Sequence, residues 1–189
     1  MALPTRAEAE ALLATYALPD GIMAHAHGVS RVAAEAARLL ASTGVAVDPL
    51  LVEVAALLHD IDKIATRDGG EPHGIVGARW LTEMGYPELA DAVASHPVSC
   101  LLDPQRAPRD WASKLVAIAD RRVEQGFVSI DERIDGMAER YPQYRAELEA
   151  ARPPAHALEA ELARVLGLSG AALDGALRAA WQHGAVVAQ

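Results

Sequence analysis

Apolar residues recur along most of the chain at the three- and four-residue spacing that is typical of amphipathic helices. The clearest stripe comprises Ile22, Val29, Val32, Ala36 and Leu40. No segment shows the alternation of apolar and polar residues that a half-buried strand requires. The pattern therefore predicts an all-α protein, a single helical bundle of eight or nine helices.

Helix-capping residues and helix breakers predict where several of these helices begin and end. Asp20 is placed to cap a helix that ends near Gly44. Asp48 followed by Pro49 is typical of an N-cap and a first helical residue. The pair Pro153-Pro154 predicts a break before two short amphipathic helices.

Length and composition fit one globular domain. The chain has 189 residues, of which 51% are hydrophobic and only 4% are aromatic. We expect residues 1–150 to form the main domain and residues 151–189 to form a C-terminal helical extension packed on it. This extension has three open roles: it covers a site, packs on the core, or makes the contact of a homodimer.

Charge and cysteine content narrow the possible partners. The 26 acidic residues outnumber the 17 basic ones, giving a net charge of −9, which disfavours duplex nucleic acid as a partner. No apolar run approaches the roughly 18 residues of a membrane span, and no signal peptide is evident, so we expect a cytoplasmic protein without membrane contact. With Cys100 as the single cysteine, a metal site would need imidazole and carboxylate ligands.

Five of the seven histidines fall between residues 25 and 96. His25 is in phase with the apolar stripe of its helix, whereas His27 lies on roughly the opposite side at about 100° per residue. His73 and His96 each share the apolar stripe of a further helix. Three separate helices are therefore predicted to turn one imidazole inward.

Two acidic positions follow apolar runs. His59 and Asp60 come directly after VAALL, and Asp120 comes after LVAIA. A carboxylate in apolar surroundings is costly unless it pairs with a cation or a metal. With the inward histidines, these residues offer nitrogen and oxygen ligands that suit iron, manganese, cobalt, nickel or zinc.

Ordinary structural roles remain open at this point. An inward histidine is commonly a hydrogen-bonded core residue, and Asp120 has Arg121 and Arg122 as possible ion-pair partners. The helical phases of His59 and Asp60 also lie off the main apolar stripe of their helix. Spacing alone does not decide between these roles and a metal site.

The sequence resembles the HD superfamily of metal-dependent phosphohydrolases over about residues 20–135. The matching features, in the order typical of the family, are His25, LLHDIDK around His59 and Asp60, HGIVGA from His73, ASHP at His96, and VAIADRRV with Asp120. The common HDIGK motif reads HDIDK here, with Asp62 in place of glycine. We expect Asp62 either to orient a ligand or a water molecule or to lie on the surface.

The resemblance implies a ligand set. One divalent transition metal would be held by His25, His59, Asp60 and Asp120. His73 and His96 are similar to the second-metal ligands of the dinuclear branch, in which Asp60 would bridge two ions. The HG-x-x-GA pattern is similar to that of bacterial HD proteins that split diadenosine tetraphosphate symmetrically.

The resemblance also implies a reaction on a small phosphorylated substrate, in which a metal-bound hydroxide attacks phosphorus. Asp60 and Lys63 are the expected catalytic residues, and Lys63, Arg122 and Arg133 are the expected substrate-binding residues. The alternative for these three cations is a solvated or ion-paired place on the surface.

Three functions are compatible with this reading. The leading hypothesis is hydrolysis of a phosphoester or phosphoanhydride, with nucleotides and dinucleoside polyphosphates first among the substrates. The six ligands in this order also resemble the HD-type mixed-valent di-iron oxygenases. The third hypothesis is a non-catalytic helical signalling module that has kept the fold.

Overall fold

The computed structural model describes residues 2–185 and confirms the all-helical prediction. Nine α-helices lie in this part of the chain: α1 (Arg6–Ala14), α2 (Asp20–Ser42), α3 (Pro49–Leu58), α4 (Ile75–Glu83), α5 (Ala90–Ser95), α6 (Trp111–Asp120), α7 (Ile130–Arg140), α8 (Arg145–Leu166) and α9 (Gly170–Ala185). Short 3₁₀ turns occupy Pro87–Leu89, Val98–Leu102 and Pro142–Tyr144. Within the described residues, extended pairing is confined to one isolated bridge between Val123 and Phe127.

The central helix of the bundle is α3, which packs against α1, α2, α5 and α6. Its sequence PLLVEVAALL is almost wholly apolar, and its buried residues include a continuous run from Val54 to Leu58. A helix that is apolar on all sides is stable only when other elements surround it. The carboxyl end of α3 therefore delivers the residues that follow it into the interior of the protein.

Capping residues account for the ends of the helices around this centre. The Asp48 side chain accepts hydrogen bonds from the backbone N–H groups of Leu50 and Leu51, and Pro49 is the first residue of α3, as predicted. Gly44 follows α2 with φ +86°, a conformation that favours glycine. Asp20 is the first residue of α2 rather than its cap, because Pro19 takes the capping position without a side-chain hydrogen bond.

The predicted break at Pro153-Pro154 was wrong, because α8 runs through both prolines. The two prolines leave the carbonyl groups of Glu149 and Ala150 without helical donors, but both of these residues are exposed, so water can satisfy them. The chain instead turns at Pro142–Tyr144, between α7 and α8. The expected division between residues 150 and 151 therefore falls inside a helix.

The last two helices share the main hydrophobic core. Leu162 of α8 and Leu173 and Leu177 of α9 are fully buried in the same cluster as α2 and α3. The helix α9 packs along α2. Among the helices that the structure describes, none has both the length and the apolar character to cross a membrane.

Candidate metal centre

All six side chains predicted as metal ligands meet in the structure. They come from five segments: His25 from the second turn of α2, His59 and Asp60 from just after α3, His73 from just before α4, His96 from just after α5, and Asp120 from the last residue of α6. Four of these segments are helix ends, so the packing of the helices decides the geometry of the cluster.

One half of the cluster contains His25, His59 and Asp120, whose ligand atoms lie within 4.8 Å of one another. The Nε2 atom of His25 is 3.1 Å from Asp120 Oδ1, and that of His59 is 3.9 Å from the same oxygen. His27 points elsewhere, as its helical phase predicts, with Nδ1 3.9 Å from Glu10. This half of the cluster therefore joins α2, α3 and α6.

The other half contains His59, Asp60 and His96, whose ligand atoms also lie within 4.8 Å of one another. His73 joins this group through Nε2, which is 2.8 Å from Asp60 Oδ1 and 3.0 Å from His96 Nε2. Asp60 Oδ1 is also 3.6 Å from His59 Nε2. Since His59 belongs to both halves and Asp60 lies beside it, the six side chains form one continuous cluster.

Hydrogen bonds fix which ring nitrogen faces the cluster. The Nδ1–H groups donate outward: His59 to the Ala56 carbonyl at 2.7 Å, His96 to the Val93 carbonyl at 2.6 Å, and His73 to the Asp62 carboxylate at 2.6 Å. In each ring the Nε2 atom is left to face the other ligands. Three imidazoles are thus oriented for ligation by atoms outside the cluster.

With these orientations, several nitrogen lone pairs and the negative charge of Asp60 lie close together in the interior of the protein. The Nε2 of His59 is fully buried and has no hydrogen-bond partner. The Nε2 atoms of His73 and His96 are only 3.0 Å apart, beside the negatively charged Asp60. Lone pairs and a carboxylate at such distances repel one another unless a proton or a cation lies among them. Imidazole nitrogens and carboxylate oxygens are a donor set that fits a divalent transition metal.

The protonation states also suit metal binding. Burial lowers the pKa of His59 to about 3, so this imidazole is neutral near pH 7. Burial alone would raise the pKa of Asp60 and of Asp120, but neighbouring imidazoles, Lys63 and Arg121 hold the pKa of each carboxyl well below its usual value. The cluster therefore presents ionised carboxylates beside a neutral imidazole.

His73 differs from His59 in its protonation. Burial would lower the pKa of His73, but hydrogen bonds to Asp60 and Asp62 raise it above the usual value. In metal-free protein, a proton on His73 Nε2 would donate to Asp60. A metal ion that takes His73 as a ligand has to displace this proton.

Asp62 lies behind His73 and not on the surface. Its carboxylate is fully buried; Oδ1 accepts from His73 Nδ1, and Oδ2 accepts from the N–H groups of Gly74 and Gly77 at 2.9 and 2.8 Å. Gly77 permits this approach, because a Cβ atom there would lie 3.0 Å from Ile61 and 3.3 Å from Asp62. Asp62, which stands where the common motif HDIGK has glycine, thus supplies a carboxylate that orients His73.

Arg121 has a role at the cluster that the sequence did not predict, since the sequence indicated only a possible ion pair with Asp120. Its guanidinium is buried and donates to Asp120 Oδ2 at 3.1 Å and to the carbonyl of His96 at 2.5 Å. One side chain thereby ties the end of α6 to the end of α5 and turns Asp120 Oδ1 towards His25. The adjacent arginines of ADRR gave no signal that distinguishes this residue from Arg122.

Two of the three predicted substrate-binding cations lie at the cluster. Lys63 Nζ is 3.1 Å from Asp60 Oδ1 and 3.4 Å from His73 Nε2, and its side chain is 44% exposed. Arg133 Nη2 is 3.4 Å from Asp120 Oδ1. Both cations therefore border the ligands where a substrate can reach them.

Arg122 does not join this group, which corrects its place among the substrate-binding residues. Its guanidinium is buried, forms ion pairs with Glu159 of α8 and Asp174 of α9, and stacks over the ring of Phe127. A buried arginine with two carboxylate partners is already neutralised. Arg122 fastens the last two helices to the end of α6.

The pKa of His59 predicts how the stability of metal-free protein depends on pH. The unfolded chain takes up a proton on His59 near pH 6.5, whereas the folded chain does so only near pH 3. The unfolded state therefore binds more protons between these values, and His59 lowers the free energy of unfolding by up to about 1.4 kcal/mol for each pH unit below 6.5. Urea unfolding of chelator-treated protein from pH 7.5 to 4.5 measures this slope. We expect a shallower slope for His59→Gln and an unchanged one for the control His183→Gln, an exposed histidine whose ring contacts a backbone carbonyl and no carboxylate among the described residues. Equal slopes for both variants would contradict the assignment.

The contacts of Asp62 predict its effect on metal affinity. Asp62→Asn removes the negative charge behind His73, and we expect the affinity for one ion to fall about 10- to 100-fold, as is typical for partners of ligating histidines. Calorimetric titration of chelator-treated protein with Zn²⁺ or Mn²⁺ measures the change. The matched control is Asp68→Asn, an exposed carboxylate six residues later. Affinities that are the same in both variants would rule out this role for Asp62.

Comparison with known proteins places the chain in a family. The model of the family described as "HD domain" matches residues 22–123, a span that includes all six ligands. The chain is also 31% identical over 115 residues to "Uncharacterized protein MJ0778" of Methanocaldococcus jannaschii, a match that covers 55% of this chain and 67% of that protein. No solved structure matches the chain. With more than half of its length matched, and with the histidines and aspartates of the motif gathered at one centre, the chain belongs to the HD domain family.

Proposed function

We propose that this protein is a metal-dependent hydrolase of a small phosphoester or phosphoanhydride. Membership of the HD domain family implies a metal-dependent hydrolase type of function. The observation that carries the proposal is the meeting of six imidazole and carboxylate ligands with two cations, Lys63 and Arg133, at their edge. Metal ligands beside cationic side chains are the arrangement that phosphoryl transfer needs.

The two halves of the cluster suggest how metal would be held. His25, His59 and Asp120 would hold one ion, while Asp60, His73 and His96 would contribute to a second, with Asp60 between the two. We propose iron, manganese, cobalt, nickel or zinc as the metal, with two ions as the fuller occupancy. When bound, the metal would supply a Lewis acid that activates water and offsets charge on the phosphoryl group.

Lys63 and Arg133 would bind and orient the phosphoryl oxygens. Burial would lower the pKa of Lys63, but Asp60 and Asp120 raise it, so this residue stays a cation at neutral pH. Its ammonium group reaches Asp60 and remains partly exposed, so it can donate to a substrate oxygen while it keeps that contact. Asp60 is ionised and would accept a hydrogen bond from the attacking water. The water oxygen bonds to phosphorus, the bond to the leaving oxygen breaks, and that oxygen receives the proton.

Nucleotides and dinucleoside polyphosphates are the substrates that we propose to test first. The resemblance to the bacterial hydrolases of diadenosine tetraphosphate supports the second of these. The non-catalytic alternative has little support, since all six ligands converge and none is replaced. The oxygenase alternative does not by itself explain the two cations beside Asp60 and Asp120.

Reconstitution with metal tests the proposed function. Chelator-treated protein, reloaded separately with Mn²⁺, Fe²⁺, Co²⁺, Ni²⁺ or Zn²⁺, is expected to release phosphate or nucleotide from a panel of phosphoesters without consuming oxygen. Activity should return only after metal is added, and His59→Gln should lower kcat/KM at least about 100-fold, as loss of a metal ligand implies. The exposed His156→Gln is the control. Metal-loaded protein that releases nothing from the panel, or that needs oxygen to act, would refute the proposal.

A further inference from the structure

Two cavities reach the ligand cluster, and they expose different ligands. The first, of about 340 Å³, touches His73, His96 and Asp120. The second, of about 390 Å³, touches His25 and Asp60. Lys63, Arg133, Met137 and Tyr141 line both cavities, so these four residues mark where the two meet. A phosphorus atom at the ligands therefore has room for a substituent on each side.

The first cavity, called here the tyrosine cavity, suits an uncharged planar group. Beyond the ligands and the shared cations it is lined by Val98, Leu148, the rings of Tyr141 and Tyr144, and Arg121, whose charge is paired with Asp120. These two tyrosines border the turn between α7 and α8 and are 47% and 55% exposed, among the most exposed large apolar side chains described. Aromatic rings of this kind stack on planar groups. Glu147 also lines the cavity and would repel a further phosphate there.

The second cavity, called here the arginine cavity, suits an anionic group. Beyond the shared residues it adds Arg67 and Arg140. Arg140 is paired with Glu124, whereas exposed Arg67 forms no salt bridge with any residue in the described range 2–185. Outside the ligands and the shared residues, the arginine cavity therefore has two cations against the one carboxylate of Glu124, and this excess of positive charge attracts phosphate oxygens.

We propose that the substrate carries two unlike groups on the phosphorus that is attacked: an uncharged planar group in the tyrosine cavity and an anionic group, such as a further phosphate, in the arginine cavity. This inference rests on the proposed function and narrows its substrate class. Water forms the new oxygen–phosphorus bond, the bond to one of the two groups breaks, and the departing oxygen takes the proton. A symmetrical split of a dinucleoside tetraphosphate would leave phosphate on both sides of the attacked phosphorus, one of them in the tyrosine cavity. Among the substrates proposed above, the inference therefore favours attack on the phosphorus that carries the nucleoside.

Three probes separate the two cavities. ADP has one group of each kind on its α-phosphorus, inorganic tripolyphosphate has two anionic groups on its central phosphorus, and bis(4-nitrophenyl) phosphate has two uncharged planar groups. Each variant is compared with the unaltered protein on the same probe, so differences in intrinsic reactivity cancel. The measured quantity is kcat/KM of metal-loaded protein.

Variants in the two cavities are expected to give opposite patterns. Tyr144→Ser should lower kcat/KM about tenfold for ADP and bis(4-nitrophenyl) phosphate but less than about twofold for tripolyphosphate, given the usual strength of aromatic stacking. Tyr144→Phe should recover most of the loss, since it keeps the ring. Arg67→Gln should lower kcat/KM about fivefold for ADP and tripolyphosphate but less than about twofold for bis(4-nitrophenyl) phosphate. Arg38→Gln, at an exposed arginine of α2, is the control for charge.

Two outcomes would overturn the inference while hydrolysis persists: each variant affects all three probes alike, or neither variant affects any probe. If metal-loaded protein hydrolyses none of the probes, the proposed function fails for them, and their dissociation constants, measured by calorimetry, decide the inference instead. The same crossed pattern is then expected in the dissociation constants. Its absence there would overturn the two-cavity assignment independently of catalysis.

Discussion

Mutual repulsion among buried ligand atoms is the constraint on which the rest of this structure depends. The Nε2 atoms of His59, His73 and His96 lie close to one another and to the carboxylate of Asp60 inside the helical bundle. Such a group is costly to bury unless a cation compensates it. The fold meets part of this need with Lys63 and Arg121, and the remaining lone pairs are those that a divalent metal uses.

Helix ends are what make this arrangement possible. Backbone carbonyl groups near the carboxyl end of a helix lack helical donors, so they can accept a hydrogen bond from an imidazole. The carbonyls of Ala56 and Val93 do so for His59 and His96. Because α3 is buried from Val54 to Leu58, the residues that follow its carboxyl end enter the core directly. Fold and site therefore have one cause, the convergence of helix ends on the central helix.

The sequence predicted the helices and the types of ligand better than it predicted the supporting contacts. The stripe of α2 placed His25 inward and His27 outward because that helix has one polar side. The same method placed His59 and Asp60 off the apolar stripe although both are buried, because they follow the end of a helix that is apolar on nearly every side, where helical phase does not separate core from surface. Arg121 and Arg122 are adjacent in the sequence, and only tertiary packing places the first at the cluster and the second against α8 and α9.

The two prolines of α8 illustrate the same limit on prediction. Helix propensity places a break at Pro153-Pro154, but exposure of the two orphaned carbonyl groups and burial of Leu148 and Ala155 on the opposite side let the helix continue.

The most direct test of the metal centre is anomalous X-ray diffraction from crystals of the protein loaded with Zn²⁺ or Mn²⁺. We predict one or two peaks about 2.0–2.3 Å from the Nε2 atoms and carboxylate oxygens of the cluster. Ions bound only elsewhere, with the Nε2 atom of His59 left without a ligand, would contradict the central claim.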